Sequence, residues 1–205
     1  MRVDDLPPTH EYWERPPSKD AGDPNTDNLY MMVGRCLSRW EKIEEEFADL
    51  FETFVAVGSH AAKRAYGSIV SAGGRRDALK AAAEVFFYKH PAIPQIEQKR
   101  FKALLDHFAV ASGKRNEIAH GIVENFTIHV GPRQAGGCFL FPAGYNSNKT
   151  KAFREAGDIE NLWSFVPGKY RYIAADLSYF YVRFAALDQA TDEYTVDLKR
   201  EYLTH

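Results

Sequence analysis

From residue 27 to about residue 57, apolar side chains recur at three- and four-residue steps: Leu29, Met32, Val33, Cys36, Leu37, Trp40, Ile43, Phe47, Leu50, Phe51 and Phe54. That spacing draws one apolar stripe down a single long helix. Thr26 or Asp27 can cap its start, and Gly58 ends it. The Glu44-Glu45-Glu46 triplet falls largely on the solvent side. No histidine shares the helix, so the triplet reads as a solvated face and not as a metal site.

Three more helical stretches follow. Ser59 opens a short alanine-rich piece that runs to about residue 72, and Gly73-Gly74 breaks it. The next runs from about 75 to 89, with Leu79, Ala82, Ala83, Phe86 and Phe87 on one side, until His90-Pro91 and Pro94 stop it. A longer one runs from 95 to about 120, with Ile96, Leu104, Leu105, Phe108, Ala111 and Ala119 inward.

The period then drops to two. Phe126, Ile128 and Val130 alternate with Thr127 and His129, and Cys138-Phe139-Leu140-Phe141 forms a second run. Gly131-Pro132 and Gly136-Gly137 bracket a turn, so a β-hairpin is predicted, and Tyr170-Arg171-Tyr172-Ile173 adds a short third strand. Helical spacing resumes at Leu177, Phe180, Tyr181, Phe184 and Leu187 and continues, with a break near Thr191, through Tyr194, Leu198 and Tyr202. The expected fold class is mainly α: a helical bundle with a small β-hairpin inserted before the last helix.

Residues 1–26 carry Pro7-Pro8, Pro16-Pro17 and Pro24 among many charges, a composition read as an extended arm with no helix or central strand. Tyr12 and Trp13 are its large apolar anchors. Residues 27–205 read as one domain with a β-containing insert at about 122–173. A net charge of -2 gives no overall attraction for a polyanion, so any nucleic-acid contact must come from local basic patches. The two cysteines, Cys36 and Cys138, show no ligand spacing and read as free thiols in a reducing compartment. No apolar run approaches the ~18 residues of a membrane span, and the first residues have no apolar signal region. A soluble cytoplasmic protein with no membrane partner is expected.

The chemistry concentrates in Lys114-Arg115-Asn116-Glu117-Ile118-Ala119-His120-Gly121. Arginine offers a planar fork of donors to a phosphate. Histidine exchanges protons near neutral pH. Arg115 and His120 are about 140° apart around an ideal helix. Asn116 and His120, four apart, share a face, and Ser112 extends it one turn back. Gly121 fits the residue just past a helix end, so the helix is expected to stop or loosen at His120 and let Arg115 and His120 converge on one phosphate. The bare Arg-x-x-x-x-His spacing is weak, since Arg200…His205 repeats it. The accompanying Asn116 and Gly121 set the first copy apart.

With those additions the stretch resembles the HEPN superfamily, whose members are α-helical bundles, usually homodimers, with an arginine, often a following polar residue, and a histidine four to six residues beyond. Arg115, Asn116 and His120 fall on those positions. The resemblance is one of motif at 115–121 and extends loosely to the helices at about 27–120 and from 174 onward. Ile122 stands where one toxin branch has a tyrosine. The resemblance implies a metal-independent endoribonuclease without cofactor, with Arg115, Asn116 and His120 catalytic and the active site at a homodimer groove. It also implies a toxin or phage-defence role, with RNA as substrate and an antitoxin or regulatory protein as partner. The rival reading is a non-catalytic helical module that binds RNA, nucleotide or protein through the same groove.

Ser112 and Lys114 are candidate substrate contacts beside the motif. Tyr145, Lys149 and Lys151 form a second candidate set, mixing an aromatic for base stacking with cations for phosphates, alongside Asn148. Glu117 and His120 also form Glu-x-x-His, but no second copy exists to build a di-iron site, so no metal is expected. Most of the basic pairs, Lys63-Arg64, Arg75-Arg76 and Lys99-Arg100, read as solvated faces.

Overall fold

The computed structural model describes residues 1–14, 21–55, 57–130, 133–142 and 171–203; for residues 126–130, 133–135 and 142 it describes the backbone alone. The protein is mainly helical, with one two-stranded antiparallel sheet before the last helix. After a 3-10 turn at Val3–Asp5 come α1 (Thr9–Tyr12), α2 (Asp27–Val55), α3 (His60–Gly67), α4 (Ala72–Lys89) and α5 (Gln95–Ala119). Strands β1 (Gly121–Val130) and β2 (Arg133–Pro142) follow, and α6 (Ala174–Tyr202) closes the chain. Among the described residues no helix is long and apolar enough to cross a membrane.

The chain separates into two compact units. The first comprises Met1–Trp13, Arg39–Gly113 and Arg183–His205; the second comprises Glu14–Ser38 and Lys114–Val182.

In the first unit the stripe of α2 is buried as its spacing predicts, with Trp40, Ile43, Phe47, Leu50 and Phe54 in the core. Trp40 stacks on Phe108 of α5 at 5.3 Å and meets Phe184 of α6 at 6.0 Å. Phe47 lies 4.4 Å from Phe108, and Phe54 touches Phe86 of α4 and Phe101 of α5 at 5.0 Å each. Each such pair adds about 0.5–1.5 kcal/mol beyond the area it buries.

Four expectations are corrected in this unit. The proline-rich start is not all extended: Pro8 precedes α1, where a missing N–H costs nothing, and Trp13 is buried. The break between α3 and α4 lies at Ser68–Ser71 and not at Gly73-Gly74, because the Ser71 hydroxyl caps α4 by accepting the Gly74 N–H at 3.0 Å. Ile96 is exposed, and Glu97 takes the inward position beside it. Helix α6 runs through Thr191 unbroken. The hydroxyls of Thr191 and Thr195 donate to the carbonyls of Leu187 and Thr191 inside the helix.

Charges read as solvated are also partly internal. Glu44 is only 10% exposed and pairs with Arg75 at 2.7 Å, while Arg75 Nε donates to the Ile69 carbonyl. Lys63 pairs with Asp49 and Glu52, and Arg100 with Asp4 and Glu97. Burial and the acids Asp192, Asp49, Asp188 and Glu45 push the Glu46 carboxyl up to about 7.

The arm closes on His107. Trp13 Nε1–H donates to His107 Nδ1 at 3.0 Å, and His107 is 2% exposed. Burial lowers its pKa, while Asp106 and a hydrogen bond to the Pro7 backbone oppose the shift.

In the second unit the hairpin pairs Gly121 with Pro142 through to Val130 with Arg133. Gly136 and Gly137, expected in a turn, lie inside β2. Gly137 has φ +131°, and a Cβ there would stand 2.8 Å from Gly22. The glycine admits a second backbone: Gly22 N–H donates to the Gly136 carbonyl, and Asp23 and Cys138 exchange hydrogen bonds at 2.9 and 2.8 Å. The expected third strand is a single bridge, Tyr172 to Leu140, with bonds of 2.8 and 2.9 Å. These two bridges occupy part of the free edge of β2. Asp23 and Asp176 then cap α6 by accepting the N–H groups of Ala174 and Ile173.

Candidate active site

The motif lies at the end of α5 and belongs, from Lys114 onward, to the second unit. The helix stops where its sequence suggests: Ala119 is the last helical residue and His120 forms a turn. His120 N–H still donates to the Asn116 carbonyl at 3.1 Å, so the last turn keeps its helical pitch up to the histidine.

The reason for the stop differs from the expected one. Gly121 does not adopt a left-handed cap, since among the described residues only Gly58 and Gly137 have positive φ. It enters β1 directly, paired with Pro142. Glycine is needed there for room: a Cβ would lie 2.5 Å from Leu140 Cδ1 and 2.7 Å from Leu140 Cγ. Pairing with β2 therefore takes over from the helix at Gly121, and Leu140 fills the space a side chain there would need.

Asn116 and His120 are exposed, and Arg115 is half-buried. Arg115 Nη1 donates to Asn116 Oδ1 at 3.0 Å, which ties the guanidinium to the amide of the next residue. The structure thus joins Arg115 with Asn116 and leaves His120 open at the helix end. Ser112, on the same helix, is buried at 9% exposure and does not share the exposure of Asn116 and His120.

Lys114 is held. Its ammonium lies 3.3 Å from Glu117 Oε2 and 5.7 Å from the Phe180 ring centroid. Glu117 Oε2 also accepts a hydrogen bond from the Tyr172 hydroxyl. Tyr172 is 4% exposed, packs edge-on against Phe180 at 5.9 Å, and is bound through its backbone to Leu140. The end of α5 is therefore gripped twice, by Tyr172 on Glu117 before the histidine and by Leu140 on Gly121 after it.

Sequence reasoning missed Tyr172 and Leu140. Tyr172 is 55 residues from Glu117, and nothing local marks a tyrosine as the partner of so distant a carboxylate. Among the described residues no group of three or more His, Cys, Asp or Glu is placed to hold a metal ion. Tyr145, Asn148, Lys149 and Lys151 lie outside the described residues, as does His205 of the second Arg-x-x-x-x-His copy.

No protein-family model, curated protein or solved structure matches this chain.

Proposed function

We propose that this protein is a metal-independent endoribonuclease of the HEPN kind, active as a homodimer. The observation that carries the reading is the end of α5: Arg115 bound to Asn116 at 3.0 Å, with an exposed His120 one turn on, where the helix stops. Those groups fit cleavage of a phosphodiester by its neighbouring 2′-OH. His120 takes the 2′-OH proton as the 2′-oxygen attacks phosphorus. Arg115 neutralises the charge that builds on the phosphorane oxygens, and Asn116 Oδ1 fixes the direction of its fork. The bond to the 5′-oxygen then breaks, and that oxygen takes a proton from His120 of a second copy across a two-fold axis. The products are a 2′,3′-cyclic phosphate and a 5′-OH.

One motif supplies one histidine, while the reaction uses an acid and a base; a dimer groove supplies both. Tyr145, Lys149 and Lys151 are proposed to bind single-stranded RNA beside it. In this reading the protein is a cytoplasmic toxin or phage-defence effector, restrained by an antitoxin or regulatory protein.

The test is incubation with RNA in EDTA, comparing the unaltered protein with Arg115→Ala and His120→Ala. Cleavage that persists in EDTA and disappears in both variants supports the enzyme. RNA left intact across a range of substrates replaces it with the non-catalytic binding module.

A further inference from the structure

His120 has a competitor for its chemistry on its own helix. Glu117 is three residues earlier, and the Asn116–His120 backbone bond keeps that turn helical, so the two side chains are neighbours on one face. A free carboxylate there would pair with the imidazole, favour its protonated form and hold the ring against the helix. In the structure the Glu117 carboxylate is engaged by other partners. Its Oε2 is taken by the Tyr172 hydroxyl and by Lys114 Nζ. Both partners are themselves fixed: Lys114 lies over Phe180, and Tyr172 is buried against the same ring with its backbone bridged to Leu140.

We propose that Tyr172 is a positioning residue that, with Lys114, holds the Glu117 carboxylate away from His120 and so leaves the imidazole free to exchange a proton with substrate. The catalytic part of this rests on the ribonuclease reading; the carboxylate's placement does not. Among the described residues, the other charged groups near this helix end have contacts or positions of their own. Arg115 is bonded to Asn116, Arg171 lies over Phe139, Asp176 caps α6, and Glu124 is exposed on β1. Among the described residues, Glu117 is the acid that shares a helix face with His120.

The experiment is an NMR titration of the His120 ring in the unaltered protein, Tyr172→Phe, Glu117→Gln and the double variant. Tyr172→Phe keeps the ring on Phe180 and the backbone bridge to Leu140, removing the hydroxyl alone. The expected result is a His120 midpoint in Tyr172→Phe about half a pH unit above that of the unaltered protein, the size of one partly exposed ion pair. In the double variant the midpoint returns to that of Glu117→Gln, because the carboxylate is gone. An unchanged midpoint in Tyr172→Phe, or a rise that survives in the double variant, overturns the proposal.

RNA cleavage supplies the second arm. Tyr172→Phe lowers kcat on the acid side of the pH profile with KM unchanged, and the loss is recovered at higher pH. A loss uniform across pH marks a merely structural role and overturns the catalytic part. If the unaltered protein cleaves no RNA while the midpoints behave as stated, the ribonuclease reading falls and the placement of Glu117 stands.

Discussion

Replacing Gly121 by alanine probes how the end of α5 is held. The added Cβ would lie 2.5 Å from Leu140 Cδ1, 2.7 Å from Cγ and 3.2 Å from Cδ2. Comfortable carbon contacts are about 3.5–4.0 Å, so the overlap is close to 1 Å. Leu140 cannot swing into solvent to relieve it: the residue is 1% exposed and its backbone is bound in both directions to Tyr172. Overpacking of this kind costs about 1–3 kcal/mol. Truncating Leu140 to alanine alone costs about 2–5 kcal/mol through the cavity it leaves. In the double variant the new methyl enters that cavity, so the combined cost falls short of the sum by about 0.5–3 kcal/mol. Urea unfolding of the four proteins at a common m-value measures each term. Gly121→Ala within about 0.5 kcal/mol of the unaltered protein, or strictly additive costs in the double variant, refutes the clamp.

Two further expectations concern pH. Burial holds the His107 pKa below its usual 6.5, so just below that pH the unfolded chain binds more protons than the folded one. The contribution is complete above pH 6.5 and is lost as pH falls, by at most about 1.4 kcal/mol per unit; His107→Asn, which keeps an acceptor for Trp13, removes that slope in chemical denaturation. An unchanged slope would contradict burial of His107 as its source. Glu46 behaves oppositely. Its carboxyl is pushed from 4.5 up to about 7, so the folded state holds the extra proton and stability is lost as pH rises through about 7. Glu46→Gln is therefore more stable than the unaltered protein above about pH 7, by on the order of 1 kcal/mol, with the gap closing toward pH 4.5; thermal unfolding at both ends of the range reads it.

The long helices were legible because their burial pattern repeats. Leu29, Met32, Cys36, Trp40, Ile43, Phe47, Leu50 and Phe54 are all buried, on the steps their sequence marks out. What misled was local chemistry that two different contexts can use. Gly73 and Gly74 look like a break, yet a serine two residues earlier turns them into the first turn of α4. Gly136 and Gly137 look like a turn, yet both lie inside a strand, and Gly137 makes room there for Gly22. Thr191 looks like a weak point, yet its hydroxyl finds a carbonyl inside the helix. At the candidate site the helix end at His120 was readable from Gly121, but for the wrong reason. The contacts that hold it, Leu140 on Gly121 and Tyr172 on Glu117, join segments far apart in sequence. No local pattern encodes a contact of that range.

The proposed reaction begins with attack of a ribose 2′-OH on the neighbouring phosphorus. It is tested most directly with an RNA oligonucleotide that the protein cuts, compared with the same oligonucleotide carrying a single 2′-deoxy nucleotide on the 5′ side of the cut. The expected result is that the deoxy substitution abolishes cleavage at that bond in EDTA, while the all-ribose strand yields a 2′,3′-cyclic phosphate end. Cleavage of the deoxy strand at the same bond would contradict it.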